Sequence, residues 1–252
     1  MRFKCAFLFL ALAATAQADW TILSTASELG RDGLLHRHVV LENPVGSERV
    51  TVDLAIFSKS CTLRVLQNEG GAESLGEMMR HEKCLAGVNG GYFNENFAPL
   101  GLRIANGQMI APLERARLIT GVLVASPRGV QIVRAREFSR RLGVTAAIQC
   151  GPFLVDRGQT ISGLNDSHLA RRTFAATTTG SHALIGVCSG VSLAESAKIL
   201  ATMSLAEDLK IERALNLDGG SSSAFWFGRE NGNAFSISEQ KSVRDFVGIV
   251  PK

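Results

Sequence analysis

The sequence predicts an α+β fold: a single domain of mixed or antiparallel β-sheets with a few helices. Three observations predict it. Short β-rich runs recur from residue 50 to residue 250, with turn residues between several of them. Only a few short segments carry helix signals. No repeat, low-complexity tract or Pro/Gly/Ser linker divides the chain after its first 18 residues.

Those first 18 residues are read separately. Arg2 and Lys4 precede the apolar run AFLFLALAA, and Ala16-Gln17-Ala18 is a small-x-small cleavage site. The run falls short of the ~20 residues that span a bilayer. The expectation is a cleaved secretory signal at 1–18 and a domain at 19–252, secreted or periplasmic, with no transmembrane segment after cleavage. Cys5 lies before the apolar run, so a lipid anchor is not indicated. The strand signals then follow in order. VTVDLAIF (50–57) alternates apolar and polar residues, as a half-buried strand does. CTLRVL, LAGVN, LITGVLVA, VQIVRA, AAIQCGPFLV, TFAATT, ALIGVC, RALNL, SAFWF and FVGIV continue the series. Asn106-Gly107 marks a two-residue hairpin, and Ser126–Gly129 and Asp156-Arg157-Gly158 mark turns. SLGEMMR (74–80) reads as a short helix. Ser192 with Glu195 forms a capping box, and Ser204 with Glu207 repeats that signal, which predicts two short helices with a break near Ser204.

Charge and cysteines narrow the class. The formal net charge is +4, and removing Arg2 and Lys4 leaves +2. Lys and Arg are scattered, and Arg140-Arg141 reads as a solvated loop, so nucleic acid is not an expected partner. Cys61, Cys84, Cys150 and Cys188 remain, an even number that in an exported chain favours disulfides. Proximity in sequence favours Cys61–Cys84 and Cys150–Cys188 among three pairings.

Three strand ends place glycine beside polar groups: VNGGYFN (88–94), CGPFLV (150–155) and NLDGGSSS (216–223). Glycine there permits positive φ or close approach of a ligand, and successive N–H groups form anion-binding nests. Gly90, Gly91, Gly151, Gly219, Gly220 and Ser221 are therefore candidate substrate contacts. Tyr92, the single tyrosine, either stacks on a sugar ring or donates to a phosphate oxygen, or else is a half-buried strand residue with its hydroxyl at the surface. In RRTFAA, strand alternation lets only one of Arg171 and Arg172 face a pocket; Arg172 with Thr173 is the favoured pair, because a guanidinium fork matches phosphate. Asp218 is an acid set between an apolar strand and a glycine turn, where a perturbed pKa is expected. His168 is more often structural than catalytic in such a setting. His36 and His38 alternate on one strand face but lack a third metal ligand.

VNGGYFN, CGPFLV, RRTFAA and NLDGGSSS together, in this order, resemble the phosphodiester glycosidase family across residues 88–223. The resemblance implies hydrolysis of a sugar joined through its anomeric carbon to a phosphodiester, on an envelope or extracellular glycoconjugate or a small molecule. The departing phosphate monoester needs little protonation, its second pKa being ~6. The site must instead hold negative charge, a role given to Arg172, Thr173 and the glycine clusters. Asp218 serves as the carboxylate beside the anomeric carbon, and Asn89 orients it or binds sugar hydroxyls. Glu95 and Asp166 are weaker second carboxylates. A hard cation, calcium or magnesium, is a candidate cofactor on Asp218, Asn89 and main-chain carbonyls, although no complete ligand set is visible.

Two other readings compete. A non-catalytic binding module for sugar phosphates or envelope glycopolymers would use the same nests and arginine without turnover. A serine hydrolase using Ser221, Ser222 or Ser223 lacks G-x-S-x-G and an evident base.

Overall fold

Alternating apolar residues and frequent turn signals produce a molecule built mainly of strands. The computed structural model describes residues 20–43, 46, 48–140, 143–205 and 209–252; the leader read at 1–18, Arg141 and Glu207 lie outside the described residues. In chain order the elements are β1 (Thr21–Leu29), β2 (Leu35–Glu42), β3 (Arg49–Phe57), β4 (Cys61–Gln67), α1 (Leu75–His81), β5 (Ala86–Asn89), β6 (Arg103–Ala105), β7 (Gln108–Ala111), β8 (Gly121–Ser126) and β9 (Gly129–Arg134). There follow β10 (Ala146–Cys150), β11 (Phe153–Asp156), β12 (Gln159–Thr160), β13 (Ala170–Thr178), β14 (Ala183–Val191), α2 (Leu193–Thr202), β15 (Ile211–Asn216), β16 (Phe225–Gly228), β17 (Ala234–Ile237) and β18 (Asp245–Pro251).

The strands form three sheets. An eight-stranded sheet runs β1-β2-β3-β14-β13-β15-β11-β12, and two five-stranded sheets run β7-β6-β10-β8-β9 and β17-β16-β5-β18-β4. The pairings that build these sheets are antiparallel, so of the mixed or antiparallel sheets expected, the antiparallel form is found. One central core gathers the inner faces of all three sheets, including Ala55, Val88, Ile148, Phe153, Ile185, Leu215, Phe225 and Val247. Helix α2 covers the other face of the large sheet through Ala197, Ile199 and Leu200. Helix α1 covers Trp226 and Phe246 with Leu75, Met78 and Met79.

Local chemistry sets the boundaries. Ser192 and Glu195 cap α2 reciprocally, as expected, and Ser74 with Glu77 does the same for α1. Asn106 and Gly107 both adopt positive φ (49° and 76°), the geometry a two-residue hairpin requires. The run AAIQCGPFLV is broken at Gly151-Pro152, joined by a cis peptide bond. Before the break β10 pairs with β8; after it β11 pairs with β15, so the chain steps from one sheet to another.

The expected disulfides are not formed: all four cysteines are free and buried. Cys61 and Cys150 belong to the central core, Cys188 to the layer beneath α2 and Cys84 to the layer beneath α1, so neither expected pair shares a cluster. Here the thiols act as small hydrophobes. Burial pushes Cys84, Cys150 and Cys188 up to about 12. Among the described residues no helix is long and apolar enough to cross a membrane.

Candidate active site

The three glycine-bearing strand ends meet at one place. β5 ends at Asn89 and β15 ends at Asn216, while Gly151 links β10 to β11 and β13 brings Thr173 alongside. A fully buried Asn89 ties them together. Its Nδ2 donates to the Asp218 carbonyl (2.8 Å), and its Oδ1 accepts from Thr173 Oγ1 (2.7 Å) and Ala224 N (3.0 Å). Asp218 N donates to Gly90 O (3.1 Å), so the Asp218 main chain is clamped on both sides by residues 89 and 90. Leu217 N donates to Thr173 O (2.8 Å), which fixes β15 against β13.

Tyr92 matches the second of its expected positions only in part. It is half-buried, but its hydroxyl points inward, donating to Gly151 O (2.7 Å) and accepting from Asn216 Nδ2 (3.0 Å). Burial is the main force raising its pKa, and Cys150 and Asp218 push in the same direction, so the phenol stays protonated. Asn216, which the sequence reading did not single out, also donates to Gly151 O (3.0 Å) and so joins two of the strand ends.

The carboxylate of Asp218 is partly buried on this clamped turn. Burial raises its pKa above the ordinary 3.8; the Ser222 hydroxyl, Lys241 and the Gly219 N–H pull the other way. Gly219 N donates to Asp218 Oδ1 (3.0 Å). Within the following turn Gly220 is left-handed, at φ 65°.

Both arginines of RRTFAA reach this turn, against the expectation that only one would. The β13–β14 register shifts between Ala170 and Arg172, and this irregularity re-aims neighbouring side chains. Arg171 Nε donates to Gly220 O (3.3 Å) and its Nη1 to Ser238 O (3.1 Å). Arg172 is buried; its Nε donates to Val191 O (3.0 Å) and its Nη2 to His168 O. Arg172 Nη1 would lie 3.9 Å from a side chain placed at Gly219. Burial pulls this guanidinium below its usual value, and Tyr92 and Cys188 oppose that pull. Lys241 is a third cation, set 5.5 Å above the Phe93 ring and close enough to stabilise ionised Asp218. Buried polar atoms around this turn, among them Arg171 Nη2, Asn216 Oδ1 and Ser223 Oγ, have no hydrogen-bond partner.

Several candidates sit differently from their expected roles. Gly90 N donates to Asp245 O (2.8 Å) and Gly91 N to Asp245 Oδ1 (2.9 Å), so neither N–H is free for an anion. A side chain at Gly90 would collide with Asp245, and one at Gly91 with Arg103. The glycines make room for a buried ion pair, Arg103 Nε to Asp245 Oδ2 at 2.8 Å. Ser221 O accepts from Gln240 N (2.7 Å), tying the turn to the segment that carries Lys241. His168 supplies its main-chain oxygen to Arg172. Glu95 and Asp166 are exposed. His36 and His38 both bond Asp53 Oδ1 (3.0 and 2.9 Å) on β2 and β3, away from the turn. Among the described residues no group of three His, Cys, Asp or Glu side chains is placed to hold a metal. Asn89 Oδ1 already accepts two hydrogen bonds, so it does not fit the metal-ligand role considered for it.

Comparison with known proteins gives this geometry a family. The fold matches the zebrafish N-acetylglucosamine-1-phosphodiester alpha-N-acetylglucosaminidase catalytic domain, auto-inhibited by its pro-peptide, with a TM-score of 0.68 at 14% identity, covering 91% of this chain and 88% of that one. A hypothetical protein from Synechocystis matches with a TM-score of 0.58 at 16% identity, over 87% of this chain and 62% of its own. YigE of Escherichia coli K12 is 36% identical over 78 residues, which are 28% of this chain and 31% of that protein. The sequence profile of the phosphodiester glycosidase family matches residues 82–250, and the chain belongs to that family.

Proposed function

We propose that the protein is an exported hydrolase that cleaves a sugar-1-phosphodiester, with Asp218 as the carboxylate facing the anomeric carbon. One observation carries the reading: a partly buried acid whose pKa is raised sits on a clamped turn that Arg171, Arg172 and Lys241 all approach. As the bond breaks, positive charge develops on the sugar and negative charge on the departing phosphate monoester, and water adds to the anomeric carbon and gives up its proton to solvent. Ionised Asp218 stabilises the first. Arg172, with Lys241 at the exposed side, stabilises the second. Asn89 acts through the Asp218 main chain and so positions the carboxylate. Thr173 acts through Asn89.

The substrate is a small molecule or glycoconjugate bearing that linkage, and the site of action is the periplasm or the cell exterior. The test is a library of sugar-1-phosphodiesters, read by phosphate released after coupling to a phosphatase. Release from at least one member, lost in D218N, is expected. Binding across the library without release would assign the protein to the non-catalytic sugar-phosphate binders instead.

A further inference from the structure

A second cationic region lies beside this site. The segment 112–120 joins β7 to β8, and with residues 134–138 it encloses a cleft of about 820 Å³. Leu113, Arg115, Arg117, Arg134, Arg136 and Phe138 line it. Arg134 is neutralised, since it pairs with Asp156 at 2.6 Å and lies 4.2 Å above the Phe153 ring. Arg115, Arg117 and Arg136 are exposed and make no hydrogen bond or ion pair with the described residues. Glu114 is the one carboxylate in the lining. For a chain whose formal charge is only +4, three unpaired guanidinia in one concavity are a local excess.

The segment that bears two of them is held in place. Gln149 is fully buried at the end of β10 and grips it from beneath. Its Oε1 accepts from Glu114 N (2.9 Å), and its Nε2 donates to Glu114 O (2.7 Å) and Ile119 O (2.9 Å). Arg115 and Arg117 are carried between these anchors, so the main chain presents them without ordering on binding. The cleft also adjoins the candidate active site. Thr120 Oγ1 accepts from Phe153 N (3.1 Å), two residues after Gly151, whose carbonyl holds the Tyr92 hydroxyl.

We propose that this cleft is a second phosphate subsite, which holds the next anionic unit of a phosphodiester-linked glycopolymer while Asp218 faces the bond to be cut. The proposal rests on the hydrolase reading and deepens it: the substrate is a chain with repeated phosphates. An anionic bilayer is the competing occupant, because Leu113 and Leu118 are exposed. Position decides for the polymer: Thr120 in the cleft lining bonds Phe153, two residues from the Gly151 strand end, so a chain held at Asp218 has the three guanidinia within its continuation.

The experiment uses the full chain and three probes: a synthetic hexamer of glycerol phosphate, glycerol monophosphate, and vesicles containing phosphatidylglycerol. Titration calorimetry should show hexamer binding that weakens as salt rises, and much weaker binding of the monophosphate. R115Q/R117Q/R136Q should lose about tenfold or more in hexamer affinity, as expected for three screened charge contacts of ~0.5 kcal/mol or more each. Its melting temperature should not move, and R117E alone should show a smaller loss in the same direction. Unchanged hexamer affinity in the triple variant, or co-sedimentation with vesicles without hexamer binding, overturns the proposal. Hexamer binding through these arginines in a protein that cleaves no sugar phosphodiester would instead remove the hydrolase reading and leave the subsite standing.

Discussion

Two acids, Asp218 and Asp245, lie behind the same glycine loop and are treated in opposite ways. Asp245 is sealed in. It is 2% exposed, bonds Arg103 Nε with one oxygen and Gly91 N with the other, and shows every sign of a fixed structural charge. Asp218 is clamped through its main chain, but its carboxylate stays partly open, with Lys241 near it rather than bonded to it. The contrast separates a carboxylate satisfied by the fold from one held ready for something else. Arg103 makes the same point from the other side: its guanidinium bonds Tyr92 O, Leu100 O, Leu102 O and Gln149 O besides Asp245, leaving it nothing to offer a ligand. Arg172 spends only two of its three nitrogens on backbone oxygens.

Exchanging the chemistry of each acid should expose that difference most strongly. D218N should lower phosphodiester turnover by ~10³-fold or more, the scale on which removing one charge-stabilising group acts. It should not destabilise the fold. Burial raises the Asp218 pKa above 3.8, so the folded state holds a proton that the unfolded chain has already released. Stability from this residue is therefore greatest at low pH and falls as pH rises from about 3.8 through the folded-state value. Asparagine removes that dependence, and D218N should melt at or above wild type at pH 7 in calorimetry. Near-normal turnover in folded D218N would take Asp218 out of the mechanism.

The mirror experiment is R103M, which leaves Asp245 buried and unpaired. A cost of about 3–5 kcal/mol is expected in denaturant unfolding, typical for breaking a buried ion pair. Activity per folded molecule should change far less than stability. If R103M lost turnover while melting like wild type, the division of labour between the two acids would be wrong. R172K is the next test. It keeps a charge but loses the fork, and kcat/KM on a phosphodiester should fall ~10–100-fold, with less effect on a neutral glycoside of the same sugar. Equal losses on both would contradict a phosphate role. Smallest should be Y92F, which removes both hydrogen bonds of the phenol but leaves Asn216 Nδ2 bonded to Gly151 O, and should cost about 1 kcal/mol of stability. A larger loss of turnover than of stability would mean that the phenol touches substrate.

Much of the site could be read from the sequence because it lies in contiguous motifs. NLDGGSSS shows an acid at the end of an apolar strand, and RRTFAA shows paired cations entering another. What those motifs hide is the reason for their glycines. Gly90 and Gly91 look like an anion nest, yet they are small because Asp245 and Arg103 press against them. That pair is separated by 142 positions in the chain, so nothing local joins the two charges. A trace remains in hindsight: Arg103 and Asp245 each lie in an otherwise apolar strand, and such charges are rarely buried unless paired. Lys241 has no motif at all; it reaches the site because the 238–241 segment folds back on the turn. The strand runs gave the sheets well, but β1, β12 and β17 went unread: β1 is largely exposed, β12 is two residues long and β17 is a four-residue strand with no buried position.

Gln149 hydrogen-bonds its loop through main-chain atoms, at Glu114 and Ile119. The loop's shape is thus independent of its spelling. A single glutamine therefore anchors the loop without fixing which side chains it presents.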